Sequence, residues 1–205
     1  EGEQLAALCQ VVENHIAGAP CGIMDQMTAA LGKENHLLKL RCDPATVLGH
    51  VPVPEGVRFF GINSGVKHSV GGARYTRARV GAFMAVAILR EHGVNLPGGY
   101  LCGLSRRDFH AARCWLPHSI TGEEFLNRHG AYPDPVTSPD PEETYYPRSA
   151  AEHAVNENCR VFRFSQLLAA SARDRGHLEE AGALMYASHW SYGQLALLGC
   201  AETDL

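Results

Sequence analysis

Apolar residues near the start of the chain recur at helical spacing. Over residues 3–16 they stand three or four positions apart, the period of one helix face. That face carries Leu5, Leu8, Cys9, Val12 and Ile16. We therefore predict an amphipathic helix there, with Glu13 on the flank of its apolar stripe.

The pattern breaks directly after this helix. Gly18, Pro20 and Gly22 are incompatible with a regular helix, so the segment before Ile23 is expected to form a shaped turn. A helical run resumes at Ile23, continues to Leu31 and is closed by Gly32. The sequence thus predicts two helices joined by a turn.

Short apolar runs of strand length follow. We predict strands at 36–42 and 57–63, with a third at 47–53 whose Pro52 would hold it at a sheet edge. The polar, glycine-rich stretch 64–75 then connects strand to helix, and such connections often carry function. Its candidate ligand contacts are Lys67, His68 and Tyr75; loop and cap chemistry alone is the alternative.

The second half of the chain reads as helical. We predict helices from Tyr75 to His92, from Ser105, from Thr121, from Ser149 and from Leu178, with a proline-rich surface excursion over 130–148. Inward-facing residues are predicted on each helix, as follows: Val80, Phe83, Met84, Ala87 and Ile88; then Phe109, Ala112 and Trp115; Val155, Cys159 and Phe162; Leu184, Met185 and Tyr192. Strands followed by helices predict an α+β fold.

Composition narrows the functional classes. The 205 residues are 45% hydrophobic and 20% charged, as in globular proteins, and the net charge of −4 argues against nucleic acid or an anionic membrane as partner. No apolar run reaches membrane-spanning length. The seven cysteines are scattered and lack a CxxC pair. That pattern favours reduced thiols and a cytoplasmic location.

Asp25 is the leading candidate for chemistry. It falls in the first turn of the predicted second helix, where free N–H groups and the helix dipole favour a negative charge. It would serve there as a general base or a charge-orienting group, or simply as an ordinary helix-start residue. Glu13 is either a solvated flank residue or a second carboxylate that shares a site with Asp25 and holds a divalent cation.

Three blocks of sequence resemble a known family. Residues 12–26, with Pro-Cys-Gly-Ile-Met-Asp-Gln at their end, strongly resemble the galactokinase branch of the GHMP small-molecule kinases. Residues 63–69, Asn-Ser-Gly-Val-Lys-His-Ser, followed by Tyr75, are similar to the same branch. So is the tail 188–204. Three stretches are more similar to L-arabinokinases than to galactokinases: residues 69–84, Asp-Pro-Val-Thr at 134–137, and residues 157–161.

The resemblance implies a fold and a set of roles. The GHMP fold has two lobes built of mixed β-sheet and helices; residues 1–58 would belong to the first lobe and 59–205 to a second, ferredoxin-like lobe. Asp25 matches the catalytic aspartate that takes or orients the proton of the anomeric hydroxyl. Glu13 matches the Mg²⁺-binding glutamate, and Gly22 and Tyr75 match sugar-contacting positions. The substrates would be a monosaccharide and ATP.

Several family motifs have no counterpart in the chain. The arginine-bearing first motif and the phosphate loop would precede Glu1, and the glycine-rich third motif would follow Leu205. We therefore expect a kinase domain incomplete at both ends that does not turn over alone. The expected parent is an ATP-dependent sugar 1-kinase for L-arabinose or D-galactose. The alternative is a non-catalytic relative that binds sugar or a regulatory partner.

Overall fold

The computed structural model describes residues 1–42, 44–63, 73–171 and 174–195. The chain divides into two compact units. The first comprises Glu1–Gly71 and Phe162–Leu184, and the second comprises Gly72–Val161 and Met185–Leu205. Each unit contains helices and a small antiparallel sheet, which confirms the α+β class. The predicted division after residue 58 stays a prediction.

The first unit contains a helix pair and a β-hairpin. Helices α1 (Gly2–His15) and α2 (Met24–Leu31) match the predicted pair, including the end of α2 at Gly32. Strands β1 (His36–Cys42) and β2 (Ala45–Pro52) pair antiparallel, with an irregularity between Lys39 and Leu40. The strand predicted at 47–53 is therefore real, and it pairs directly with the first.

The strand predicted at 57–63 is wrong. These residues have no regular secondary structure, and Phe60 and Ile62 are 80% and 86% exposed. An apolar run of strand length still needs a partner edge for its backbone hydrogen bonds. In the ranges that the structure describes, residues 57–63 pair with no strand.

The second unit is built around α3 (Ala73–Glu91). It also contains α4 (Arg106–Ala112), α5 (Gly122–His129) and a two-residue ladder between β3 (Ile120–Thr121) and β4 (Thr144–Tyr145). Helices α6 (Pro147–Ala170) and α7 (Gly176–Trp190) contribute to both units. The predicted helix starts at Ser105 and Thr121 are confirmed: Ser105 caps α4 by accepting from the Asp108 N–H, and Thr121 forms a capping box with Glu124. Helix α6 begins at Pro147 rather than Ser149, because proline is well suited to a first helical turn.

The core of the second unit follows the predicted stripe of α3. Val80, Met84 and Ile88 are buried, while Phe83 and Ala87 are half-buried at its edge. They pack with buried residues from the rest of the unit: Leu96, Leu101, Leu104, Phe109, Ala112, Leu116, Ile120, Phe125, Tyr145, Ala151 and Val155. The helical period therefore predicted this face correctly.

Three residues predicted to face inward are exposed. Trp115 stacks on the His92 ring at the surface, Phe162 lies under the Lys39 ammonium at 4.8 Å, and Met185 is also exposed. Helical spacing identifies which residues share a face, but burial requires another element to cover that face. Trp and Phe instead use the flat ring to contact a neighbour from the surface.

The proline-rich segment 130–148 is anchored more firmly than predicted. It has little regular structure, yet the Asp134 side chain is fully buried and forms a bidentate ion pair with Arg79 (2.6 and 2.9 Å). Thr137 and the backbone N–H of Val136 also donate to Asp134. Burial alone would raise the pKa of the Asp134 carboxyl, but these bonds together lower it.

Candidate active site

The helix pair of the first unit is held at its far end by close packing. Gly2 at the start of α1 lies against Leu31 at the end of α2: a Cβ at Gly2 would lie 2.5 Å from Leu31 Cδ2, so a larger residue there would require the Leu31 side chain to move. His50 Nε2 on β2 donates to the Leu31 carbonyl at 2.9 Å. Between the helices and the hairpin, Ala6, Ile23 and Met27 are buried. These contacts fix the positions of α1 and α2 within the unit.

The turn between α1 and α2 folds back on the end of α1. Gly18 has φ +70°, a conformation that glycine adopts without strain. The backbone N–H of Ala19 donates to the Glu13 carbonyl at 2.9 Å. The N–H of Cys21 donates to the Asn14 Oδ1 at 2.9 Å. The predicted interruption by glycine and proline is therefore confirmed as an ordered turn.

Glu13 and Asp25 line one cavity of about 380 Å³. Asp25 lies in the first turn of α2, as predicted, and Glu13 lies near the end of α1. Each helix contributes one face: α1 provides Leu5, Ala6, Cys9 and Glu13, and α2 provides Asp25, Gln26, Ala29 and Ala30. Both carboxylate residues are exposed. Ligand pockets commonly have volumes of about 300–1,000 Å³.

A cysteine connects the two sides of this cavity. The Cys21 thiol donates to Glu13 Oε2 at 3.0 Å, and Gln26 Nε2 lies 3.5 Å from the Cys21 sulfur. Burial and the neighbouring Glu13 carboxylate raise the pKa of this thiol, which keeps it protonated and able to donate. Sequence reasoning assigned no role to Cys21 or Gln26, because their spacing does not show where the side chains point.

Gln26 is an unusual member of this group. It is 8% exposed, and its Oε1 is buried without a hydrogen-bond partner. A buried acceptor that lacks a partner costs roughly 1–3 kcal/mol. The amide therefore makes a weak bond to sulfur while its oxygen stays unpaired, an arrangement that stability alone does not favour.

The remaining predicted residues are placed as follows. Gly22 is exposed in the turn next to Cys21, in the same unit as Glu13 and Asp25. Tyr75 is half-buried in the first turn of α3, in the second unit. Lys67 and His68 lie outside the described residues.

The carboxylates that line the cavity suit a cation whose remaining ligands come from substrate or water. One Glu13 oxygen is bound by Cys21, and the described residues make no hydrogen bond to the other. No cluster of three or more His, Cys, Asp or Glu side chains suited to a metal occurs in the described segments. Mg²⁺ is commonly bound by one or two carboxylates together with substrate phosphates. The residues present fit that type of site.

Comparison with known proteins gives strong matches over nearly the whole chain, although no protein-family profile matches it. An L-arabinokinase of Arabidopsis thaliana is 40% identical over 222 aligned positions, which cover 94% of this chain and 21% of the relative. A galactokinase of Chloroflexus aurantiacus is 32% identical over 190 positions, covering 93% of this chain and 40% of the relative. A galactokinase of Chloroflexus aggregans is 44% identical over 89 positions.

The curated relatives of this chain are thus an L-arabinokinase and galactokinases, which supports the galactokinase-like branch. The resemblance carried by the block at 12–26 is thereby confirmed. The chain spans about a fifth to two fifths of the length of the curated relatives it matches. The cavity between α1 and α2 contains the glutamate and aspartate of that block.

Proposed function

We propose that this chain is part of an ATP-dependent sugar 1-kinase that phosphorylates the anomeric hydroxyl of L-arabinose or D-galactose. The observation that supports this most is the cavity that Glu13 and Asp25 share. Two carboxylates separated by a turn in sequence line one ligand-sized space. Two relatives that match most of the chain are named as an L-arabinokinase and a galactokinase.

Asp25 is the proposed catalytic residue. Its exposed carboxylate lies in the first turn of α2, and no side chain caps that helix. In the proposed reaction the anomeric O–H donates its proton to Asp25, and the sugar oxygen attacks the γ-phosphorus of ATP. The bond from that phosphorus to the β–γ bridging oxygen breaks, and ADP leaves. Gly22 and Tyr75 are the proposed sugar-contacting residues.

Glu13 is the proposed ligand for Mg²⁺. The ion would supply electrostatic stabilisation of charge on the transferring phosphoryl group. Glu13 offers it one carboxylate oxygen, and the ATP phosphates would supply further ligands.

The proposal also covers the lobe assignment and the cellular location. We assign residues 1–58 to the first GHMP lobe and 59–205 to a ferredoxin-like second lobe. The proposed location is the cytoplasm, supported by the free thiols of the six cysteines that the structure describes. Within the described residues, no helix is both long enough and apolar enough to cross a membrane.

The experiment uses the complete gene product that carries this chain. Sugar-dependent ADP release is measured with L-arabinose and with D-galactose, which differ by the exocyclic hydroxymethyl group. Asp25→Asn should lower kcat by about 10²–10⁴-fold while sugar binding by calorimetry is retained, since general-base catalysis contributes roughly that much. A wild-type protein that binds sugar but releases no ADP would favour the non-catalytic alternative.

A further inference from the structure

The contacts around the turn converge on one side chain. Three residues on the last turns of α1 bind Cys21: Asn14 accepts its backbone N–H, Gln10 Nε2 donates to its carbonyl at 3.4 Å, and Glu13 accepts its thiol hydrogen. From α2, Gln26 donates to its sulfur. Cys21 is thus bonded to both helices that line the cavity.

The two bonds at the sulfur use different parts of the thiol group. A thiol has one hydrogen, and Cys21 uses it toward Glu13 Oε2, so the sulfur lone pairs are left to accept the Gln26 N–H. This sets the amide orientation of Gln26 and leaves its buried Oε1 without a partner. The direction of donation therefore runs from Gln26 through Cys21 to Glu13.

We propose that Cys21 is a positioning residue for the Glu13 carboxylate. By binding Oε2, the thiol orients the carboxylate so that its other oxygen would be available to a cation bound in the cavity. Gln26 in turn directs the thiol hydrogen toward Glu13. This inference rests on the proposed function of Glu13 as a Mg²⁺ ligand.

The chemistry of the donor explains the choice of residue. A neutral thiol donates to a carboxylate without cancelling its charge, whereas a Lys or Arg at this position would pair with it and compete with the cation. Partners that orient a metal ligand commonly change metal affinity by about 10–100-fold when they are removed. The Cys21–Glu13 contact has that form.

The test measures cation binding directly in the complete gene product. Free Mn²⁺ is followed by electron paramagnetic resonance in the presence of a non-hydrolysable ATP analogue. Cys21→Ala should weaken Mn²⁺ binding by about tenfold, and Cys21→Ser should restore it to within about twofold because a hydroxyl also donates. Sugar binding by calorimetry should be unchanged in both. Cys114→Ala, which removes an exposed thiol bonded to the Ala111 carbonyl, serves as control.

The outcomes separate the two proposals. Glu13→Gln should weaken Mn²⁺ binding in the same assay. If it does, and the wild type phosphorylates sugar, but Cys21→Ala binds Mn²⁺ normally, the positioning role is overturned and the kinase function stands. Equal losses in Cys21→Ala and Cys21→Ser, accompanied by a fall in melting temperature, would show a structural role instead. A wild type without kinase activity overturns both proposals.

Discussion

The two units of the chain are packed very differently. In the first unit the buried cluster under the α1–α2 pair consists of Ala6, Ile23 and Met27, and Leu167, Leu168 and Ala181 are buried elsewhere in the unit. Most of the apolar stripe of α1 stays exposed, with Leu8 at 61% and Ile16 at 80%. In the second unit a large cluster of buried aliphatic and aromatic residues surrounds α3. The candidate chemistry lies in the thinly packed unit.

The difference shows how the candidate site is positioned. With few buried contacts around it, the turn between α1 and α2 is held by the hydrogen bonds of Cys21, which donates to Glu13 and Asn14 and accepts from Gln26. Such bonds are directional and fix side-chain orientation, whereas hydrophobic burial is non-directional. Hydrogen bonds are therefore the contacts that can hold the Glu13 carboxylate in one orientation.

Truncation of the large core should give the greatest loss of stability. Phe125 is fully buried and packs edge-to-face with Tyr132. Phe125→Ala should lower the free energy of unfolding by about 4 kcal/mol. Urea unfolding followed by tryptophan fluorescence measures this, because Trp115 and Trp190 both lie in the second unit. Leu126→Ala, at the exposed next position, is the control; an equal loss there would contradict the central role of this core.

The buried ion pair should come next. Asp134→Ala leaves Arg79 without its bidentate partner, and removing one member of a buried pair costs about 3–5 kcal/mol. Glu143→Ala, which breaks the half-exposed pair with Arg77, should cost less than about 1 kcal/mol. The same urea titration compares them, and similar losses would show that burial does not distinguish the two pairs.

The pair also predicts a pH dependence. The pKa of Asp134 is lower in the folded protein than in the unfolded chain, where it is about 3.9. Its contribution to stability is therefore complete above that value and is lost as the pH falls toward the folded pKa. Stability of the wild type should decline in this acid range more steeply than that of Asp134→Ala, and parallel curves would refute the assignment.

The small core of the first unit should be less sensitive. Met27 is fully buried, but the residues around it, such as Leu31 and Leu38, are half-buried and free to adjust. Met27→Ala should cost about 2 kcal/mol, the low end for such truncations. Hydrogen exchange of α2 amides measures this locally, with the exposed Met24→Ala as control. A loss of stability as large as that of Phe125→Ala would contradict the proposed difference in packing between the two units.

Helix capping should give the smallest effect. Thr121→Ala removes the acceptor for the Glu124 N–H and should cost about 1 kcal/mol. Thr121→Ser keeps the oxygen and should recover most of that loss in the same urea titration. If the serine variant is as unstable as the alanine variant, the methyl group rather than the cap is what matters.

Local features of this chain were determined by the sequence itself. The helix start before Asp25, the interruption at Gly18, the caps at Ser105 and Thr121, and the buried stripe of α3 depend on backbone conformation and on the helical period, which neighbouring residues control. The resemblance of residues 12–26 to the kinase family is likewise recognisable from the sequence alone.

Only the tertiary structure decided which faces are covered and which side chains meet. The run at 57–63 has strand character but no partner, and Phe162 has helical spacing but no covering element. Glu13 and Asp25 share a cavity, and Cys21 binds Glu13, because the turn packs α2 against α1. Such contacts join side chains that are close in space but separated along the chain. Spacing in the sequence does not specify them, because a turn of the same length can orient two helices in many ways.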